Sequence, residues 1–313
     1  MKIYFYLIIP ILLFCISCSG SERTSKEHDS ISSFKLPSIP SPLTKDDDKT
    51  KYLVAHYWDN YKFCDSSVVN NDSTLKFFNE YLILLQKTDS SATINSIINL
   101  SNKIFKPKSK AYPRFDKLFN DFLDNPNSYY RNETLFRVYL TILINSNDIS
   151  DIEKERHIYR LKILNKNRIS TKATNFDFIT KKWKTSSLYA IKSNYIIIYF
   201  NDPHCHECIR VSDYFSKSLY FNKWANTLKN NIPLLTILGV FTGSNITEWK
   251  DHSLPSDIID AYNPRNKIEK DELFDLRAMP TLYLLNKDKI VILKDSPIEQ
   301  IEEYLYYNIH LES

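Results

Sequence analysis

Hydrophobic residues recur every three or four positions between about Tyr52 and Asn165, which is the spacing of one face of an α-helix. The segments "STLKFFNEYLILLQK" and "ETLFRVYLTILINS" are the clearest examples. Four further segments share this spacing: "KTKYLVAHYWDNYKF", "SATINSIINLSNKIF", "RFDKLFNDFLDNP" and "DIEKERHIYRLKILNKN". Polar breaks such as "NNDS", "TDSS" and "DNPNS" provide caps and stops. The pattern predicts an all-α helical domain over residues 51–168.

The hydrophobic spacing changes after "NRISTKATNFDFIT", where short β-rich runs alternate with helix-like segments. The predicted strands are "FDFIT", "SLYAI", "YIIIYF", "PLLTILGVF", "TLYLLN" and "KIVILKD". The predicted helices are "CIRVSDYFSKSLYFNKWANTLKN", "NITEWKDHS", "KDELFDL" and "PIEQIEEYLYYNI". Strands that alternate with helices indicate an α/β domain, here over residues 169–313. The fold class is therefore α+β with two domains, the second a mixed sheet flanked by helices.

The first residues have the pattern of an export signal. Lys2 precedes an apolar run that is shorter than the roughly 20 residues of a membrane-spanning helix, so residues 1–17 are interpreted as a signal peptide. The tetrad from Cys15 to Cys18 resembles a bacterial lipobox, which implies cleavage before Cys18 and lipidation of its thiol; ordinary signal peptidase cleavage nearby is the alternative. Residues 18–50 are rich in Ser, Pro, Lys and Asp and are interpreted as a flexible tether.

The export signal sets the expected location. We expect a protein held by lipid in a bacterial cell envelope, where disulfides can persist. Ser19 follows Cys18 in place of the acidic residue that is linked to inner-membrane retention, which favours the outer membrane, facing the periplasm or the cell surface.

Composition narrows the possible functions. The 41 basic and 37 acidic residues leave a net charge of only +4, and the basic residues are scattered, so no nucleic-acid partner is predicted. With three glycines in 313 residues, the chain cannot form a glycine-rich phosphate loop.

Five cysteines are present, of which Cys15 and Cys18 belong to the export signal. Cys205 and Cys208 are separated by two residues and form a natural pair. Cys64 is left over, and we expect it to be a small buried hydrophobic residue, with a resolving cysteine as the alternative.

The pair lies in "YIIIYFNDPHCHEC", where an apolar strand breaks and delivers Cys205 to the first turn of a helix. Unpaired amides and the helix dipole stabilise an anion there, which lowers the pKa of a thiol below about 8.5. Cys205 is therefore the predicted nucleophile. Cys208 lies one turn further along the same face, from which it can attack a mixed disulfide.

A second signal is the tripeptide Met279-Pro280-Thr281 at the start of a predicted strand. A proline in this place fits a cis peptide bond, whose neighbouring backbone is free to pair with an extended substrate.

These motifs resemble the thioredoxin-like superfamily, and more closely the exported TlpA/ResA-like thiol-disulfide oxidoreductases. The resemblance implies that Cys205 attacks, Cys208 resolves and Pro280 is the cis-proline beside the substrate, with Met279 tuning which disulfide is accepted. It further implies a redox-active Cys205–Cys208 disulfide with no other cofactor, and exported thiol or disulfide proteins as partners. A lipobox, a helical domain of unknown function and a thioredoxin-like domain also resemble a class of bacterial lipoproteins.

Three residues around the pair depart from the usual motif and are predicted to tune it. His204 replaces the aromatic residue that is common before the first cysteine. A protonated His206 would favour the thiolate, and Glu207 would oppose it, so the direction of exchange stays open.

Other functions remain possible at this point. His204, Cys205, His206 and Cys208 offer ligands for copper or zinc, although no second Cys/His cluster completes a site, so no metal is predicted. The pair could instead be an inert structural disulfide, or the chain a non-catalytic lipoprotein whose helical domain binds a partner.

Overall fold

The computed structural model describes residues 34–311, with side chains as far as Ile309. The predicted signal peptide, the lipidation site at Cys18 and the first part of the tether lie outside the described residues. The helices are α1 (Asp46–His56), α2 (Ser66–Val69), α3 (Ser73–Leu85), α4 (Ser90–Ile104), α5 (Tyr112–Phe119), α6 (Glu133–Asn145), α7 (Asp151–Leu164), α8 (His206–Lys217), α9 (Leu219–Ala225), α10 (Ile246–Asp251), α11 (Lys267–Lys270) and α12 (Ile298–Leu311). The strands are β1 (Asp177–Thr180), β2 (Thr185–Ser187), β3 (Tyr195–Asn201), β4 (Leu228–Lys229), β5 (Ile232–Pro233), β6 (Leu235–Phe241), β7 (Ile258–Tyr262), β8 (Thr281–Asn286) and β9 (Val291–Lys294).

All six helices predicted for the first half are present, and α4, α6 and α7 begin with a polar side-chain cap. The Asp89 side chain accepts a hydrogen bond from the Ala92 amide at 2.9 Å at the start of α4. Ser150 and Glu153 form a reciprocal capping box at the start of α7. The predicted end of the tether at residue 50 is wrong: α1 begins at Asp46, because three aspartates in its first turn favour a helix N-terminus.

The inner faces of these helices bury a dense group of aromatic rings. Trp58 contacts Phe115 edge to face with ring centroids 5.3 Å apart, and Phe119 stacks on Tyr139 at 4.0 Å. Such pairs contribute beyond the area they bury. After Phe119 the chain continues into one π-helical turn, Asn120–Asp124, which ends at the buried Asp124.

The second half forms a mixed seven-stranded sheet in the order β2-β1-β7-β6-β3-β8-β9. β3 is central: it pairs in parallel with β6 and antiparallel with β8, and all seven of its residues are buried. Its alternate side chains enter two hydrophobic clusters on opposite faces of the sheet. The predicted fold class, a helical region followed by a mixed sheet with flanking helices, is confirmed.

Two of the predicted elements are interrupted. The predicted strand "SLYAI" is wrong, since β2 ends at Ser187 and Leu188–Ala190 form a 3₁₀ turn that buries Leu188. The predicted continuous helix after Cys208 is two helices, because the Ser218 side chain caps α9 by accepting from the Phe221 amide at 3.2 Å.

Two further differences lie between β6 and β8. Strand β7 was not predicted, although it pairs with β6 and β1. The predicted helix "KDELFDL" is wrong: α11 ends at Lys270, and Glu272 has a φ of 51°, which a helix cannot accommodate. The chain then runs without regular structure through Asp275 and Arg277 to the start of β8.

From Lys35 onward the chain forms one compact unit, so the helical region and the sheet contact each other directly. In the part of the chain that the structure describes, no helix has the length and apolar character needed to cross a membrane.

Candidate redox site

The turn that follows β3 places Cys205 at the N-terminus of α8. Asp202 fixes this turn twice: its side chain accepts from the His204 amide at 2.8 Å, and its carbonyl accepts from the Cys205 amide at 3.1 Å. The sequence predicts Cys205 in the first turn of the helix, and the structure places it one position earlier, at the N-cap. An N-cap side chain lies against free amides, where a negative charge is favoured.

Cys205 is partly exposed and its sulfur has two polar contacts. The Sγ atom accepts from the Cys208 amide at 3.2 Å, and the thiol lies 3.4 Å from the Met279 carbonyl oxygen, to which it donates. Both cysteines are free thiols in this structure. A thiol that is partly exposed and accepts from a backbone amide at a helix N-terminus is suited to nucleophilic attack.

Cys208 lies beneath Cys205, on the first turn of α8, and only 2% of its surface is exposed. Burial raises the pKa of the Cys208 thiol, and its hydrogen bond with Cys205 raises it further. The neighbouring Tyr199 hydroxyl donates to the Cys208 carbonyl at 2.6 Å. The Cys208 thiol is therefore shielded and hard to ionise, whereas Cys205 is accessible, as an exchange with two successive nucleophiles requires.

The predicted substrate segment lies against Cys205. The Met279–Pro280 peptide bond is cis, as predicted, and Met279 packs against both hydrophobic clusters of the sheet. Thr281 opens β8, but its side chain is buried and its hydroxyl donates to the Ala278 carbonyl at 2.7 Å. Thr281 can therefore reach a substrate only through its backbone.

The three predicted tuning residues are exposed, and two of them contact a charged side chain. His204 Nε2 lies 2.5 Å from the Glu248 carboxylate on α10. Arg210 binds both Glu207 and Glu299, each at 2.7 Å, so the Glu207 charge is compensated on its own helix. This pairing weakens the expected opposition of Glu207 to a thiolate at Cys205.

Cys64 does not lie where the sequence predicted. The prediction of a buried hydrophobic residue is wrong, because Cys64 is exposed in the loop after α1. Its neighbours Phe63 and Tyr61 fill the adjacent core positions instead.

A charged group behind the cis-proline segment was missed by sequence reasoning. Asp275 and Arg277 precede Met279, and they contact Asp124 and Arg160 of the helical region. The sequence holds one signal, the Asp-x-Arg spacing before "AMPT", but nothing in it links that spacing to residue 124. Within residues 34–311, no three His, Cys, Asp or Glu side chains have the arrangement of a metal site.

Residues 17–167 match a family described as a domain of unknown function, DUF5106. A crystal structure of a thioredoxin-like protein from Bacteroides caccae is 30% identical, with a TM-score of 0.82, and the match covers 89% of this chain and 99% of that one. The C-terminal domain of an uncharacterized protein from Bacteroides fragilis is 32% identical, over 45% of this chain and 98% of that one, with a TM-score of 0.42.

The thioredoxin domain of a thiol-disulfide oxidoreductase from Bacteroides vulgatus is 19% identical, over 45% of this chain and 97% of that one, with a TM-score of 0.38. A search of curated proteins found no match. The full-length likeness to the Bacteroides caccae protein, together with the fold and the cis-proline beside a CxxC pair, shows that this chain belongs to the thioredoxin-like family.

Proposed function

We propose that this protein is a thiol-disulfide oxidoreductase that exchanges disulfides with exported proteins through Cys205 and Cys208. One observation carries the proposal: the Cys205 sulfur is accessible at a helix N-terminus beside the Met279 carbonyl, whereas Cys208, whose backbone amide donates to that sulfur, has a buried side chain. An inert staple needs no such difference in access between its two sulfurs.

The exchange has two steps. The Cys205 thiolate attacks one sulfur of the substrate disulfide, which forms a mixed disulfide and releases the other sulfur as a thiolate that takes up a proton. Cys208 then gives up its proton to solvent and attacks the Cys205 sulfur, which releases the reduced substrate and leaves a Cys205–Cys208 disulfide. The reverse sequence oxidises a substrate, and the potential of the pair relative to its compartment sets the direction.

Selective alkylation tests the difference between the two thiols. In the reduced, folded protein at neutral pH, we expect iodoacetamide to modify Cys205 and leave Cys208 unmodified, because Cys208 is buried and its pKa is raised. Mass spectrometry of peptides reports each site, and exposed Cys64 serves as the internal control for reagent activity. Equal labelling of Cys205 and Cys208 would contradict the proposed geometry.

Trapping tests the function itself. In a Cys64→Ser background, Cys208→Ala should accumulate mixed disulfides with exported proteins, because the resolving thiol is absent. The matched variant Cys205→Ala should trap none, because the remaining Cys208 is buried. If neither variant traps a partner and the pair does not titrate with dithiothreitol, the chain is a binding lipoprotein with a thioredoxin-like scaffold, and the enzymatic proposal is wrong.

The location forms part of the proposal. Lys2, the apolar run and the lipobox-like tetrad support export and lipidation at Cys18, with the folded part held at a bacterial envelope membrane. Metabolic labelling with a fatty acid should modify the wild-type chain and leave Cys18→Ala unlabelled. A wild-type chain that stays unlabelled while a known lipoprotein in the same cells is labelled would refute the anchor.

A further inference from the structure

The π-helical turn that follows α5 lies directly against the segment that leads to the cis-proline. Asp124 closes the π-helical turn after α5, and its carboxylate is 8% exposed. Arg277, two residues before Met279, donates from both of its terminal nitrogens to this carboxylate, each at 3.0 Å, and also to the Asp124 carbonyl at 3.0 Å. Three hydrogen bonds thus join one arginine of the loop to one residue of the bundle.

A second arginine extends this contact into a balanced group of four charges. Arg160 on α7 donates to Asp124 at 2.6 Å and lies 2.8 Å from the Asp275 carboxylate. Arg277 also donates to Asp275 at 3.0 Å. Each aspartate therefore faces both arginines, and no net charge is left in a largely buried place. Paired arginine and carboxylate groups fix each other's geometry through several hydrogen bonds. Removal of one member is costly, because it leaves a buried charge without its partner.

The loop that this group holds is short and ends at the reactive sulfur. Ala278 and Met279 separate Arg277 from Pro280, and the Met279 carbonyl oxygen is 3.4 Å from Cys205 Sγ. At the other end, the Thr281 hydroxyl binds the Ala278 carbonyl at 2.7 Å. A displacement of Arg277 would therefore be passed through Ala278 to Met279, whose carbonyl faces Cys205.

We propose that the helical region positions the cis-proline loop for substrates through Asp124, Arg160 and Arg277. These are positioning residues, since none of them touches the reacting sulfur, and the inference rests on the thiol-disulfide exchange proposed above. The helical region then acts on catalysis by holding the backbone at Met279 in place for an extended substrate chain, while the chemistry stays with the cysteine pair.

The chain offers a matched control for this role. Asp116 on α5 is also buried and also paired with an arginine of α7, Arg156, at 2.5 Å. Its further partners, Tyr139 and His157, belong to the helical region as well. Substitution of either aspartate by Asn removes one buried carboxylate beside α7, but only Asp124 contacts the loop.

The test compares Asp124→Asn with Asp116→Asn in the full chain, in a Cys64→Ser background. Two probes are used in stopped flow on the reduced protein: dithiobis(nitrobenzoate), a small disulfide that needs no backbone pairing, and an unstructured peptide with one internal disulfide. We expect Asp124→Asn to lower kcat/KM for the peptide by about tenfold or more, the scale of a small misplacement near a reacting group. The rate with dithiobis(nitrobenzoate) should be unchanged, and Asp116→Asn should leave both rates unchanged.

Each outcome decides a different point. A peptide rate in Asp124→Asn equal to that of Asp116→Asn would overturn the positioning role, as would an equal loss with both probes. A Cys64→Ser parent chain that leaves the peptide disulfide intact would refute the exchange activity itself. If Asp124→Asn does not fold, Arg277→Gln makes the same comparison, because its side chain is 37% exposed and its removal leaves Arg160 to pair both aspartates.

Discussion

Two buried tyrosines in neighbouring strands differ by one hydrogen bond. The Tyr199 hydroxyl on β3 donates to the Cys208 carbonyl at 2.6 Å, whereas the Tyr283 hydroxyl on β8 has no hydrogen-bond partner among the described residues. We expect Tyr199→Phe to lower the free energy of unfolding by about 1 kcal/mol. Tyr283→Phe should be neutral or stabilising, because it removes a buried, unpaired hydroxyl. Urea denaturation measures both, and equal losses would contradict this account.

Among single residues, the sequence predicts those whose position follows from a short local motif. Cys205, Cys208 and the cis bond before Pro280 follow from the order strand, CxxC, helix and xPT, and the structure brings Cys205 and Met279 together. The partners of the tuning residues could not be found this way. Glu248 lies 44 positions beyond His204 in sequence, and only the fold places it 2.5 Å away.

Among the elements, α7 matters for the site because it carries Arg160, which contacts the cis-proline loop. Ser150 caps it by accepting from the Glu153 amide at 3.3 Å. Ser150→Ala should lower the free energy of unfolding by about 1 kcal/mol, whereas Ser150→Gly should cost only a few tenths, since glycine is tolerated at an N-cap. Thermal unfolding of the two variants makes the comparison, and a larger loss for Gly than for Ala would show that the cap hydrogen bond is not what matters.

The long elements were predictable and the short ones were not. Helices such as α3 and α4 bury one face over three or more turns, so their period is visible in the sequence. β7 has five residues, and its burial comes from β6 and β1 on its two sides, which lie far apart in the chain. The break between α8 and α9 depends on one side chain, Ser218, which caps α9. The sequence does not reveal it, because the apolar residues keep the same helical spacing on both sides.

For the whole molecule, the charges between the two regions predict a dependence of stability on pH. Burial alone would raise the pKa of Asp275, but Arg160 and Arg277 outweigh it and the pKa lies below its ordinary value. The contribution of Asp275 is therefore present above the unfolded pKa of about 3.9 and is lost as the pH falls through the lower, folded value. Asp275→Asn should be less stable than wild type at neutral pH, and the difference should shrink in acid. Urea midpoints across the pH range measure this, and a difference that grows in acid would contradict it.

The fold class of each region could be predicted from its own pattern, but the contact between the regions could not. Asp124 and Arg277 are 153 positions apart. Each is an ordinary charged residue in its local sequence, and a solvated surface is the usual place for such a residue. Only the three-dimensional arrangement makes the pair part of the site.

Lys294, at the end of β9, makes a further contact between the two regions. Its side chain is 4% exposed, and its ammonium group binds Glu133 at 2.9 Å and the carbonyls of Leu164 and Lys166 at 3.4 and 3.1 Å. All three acceptors precede residue 169, where the thioredoxin-like domain was predicted to begin. A fragment that begins at residue 169 would keep Lys294 but lose all three of these acceptors. The two regions therefore depend on each other for stability, and calorimetry of the full chain should record one cooperative unfolding transition.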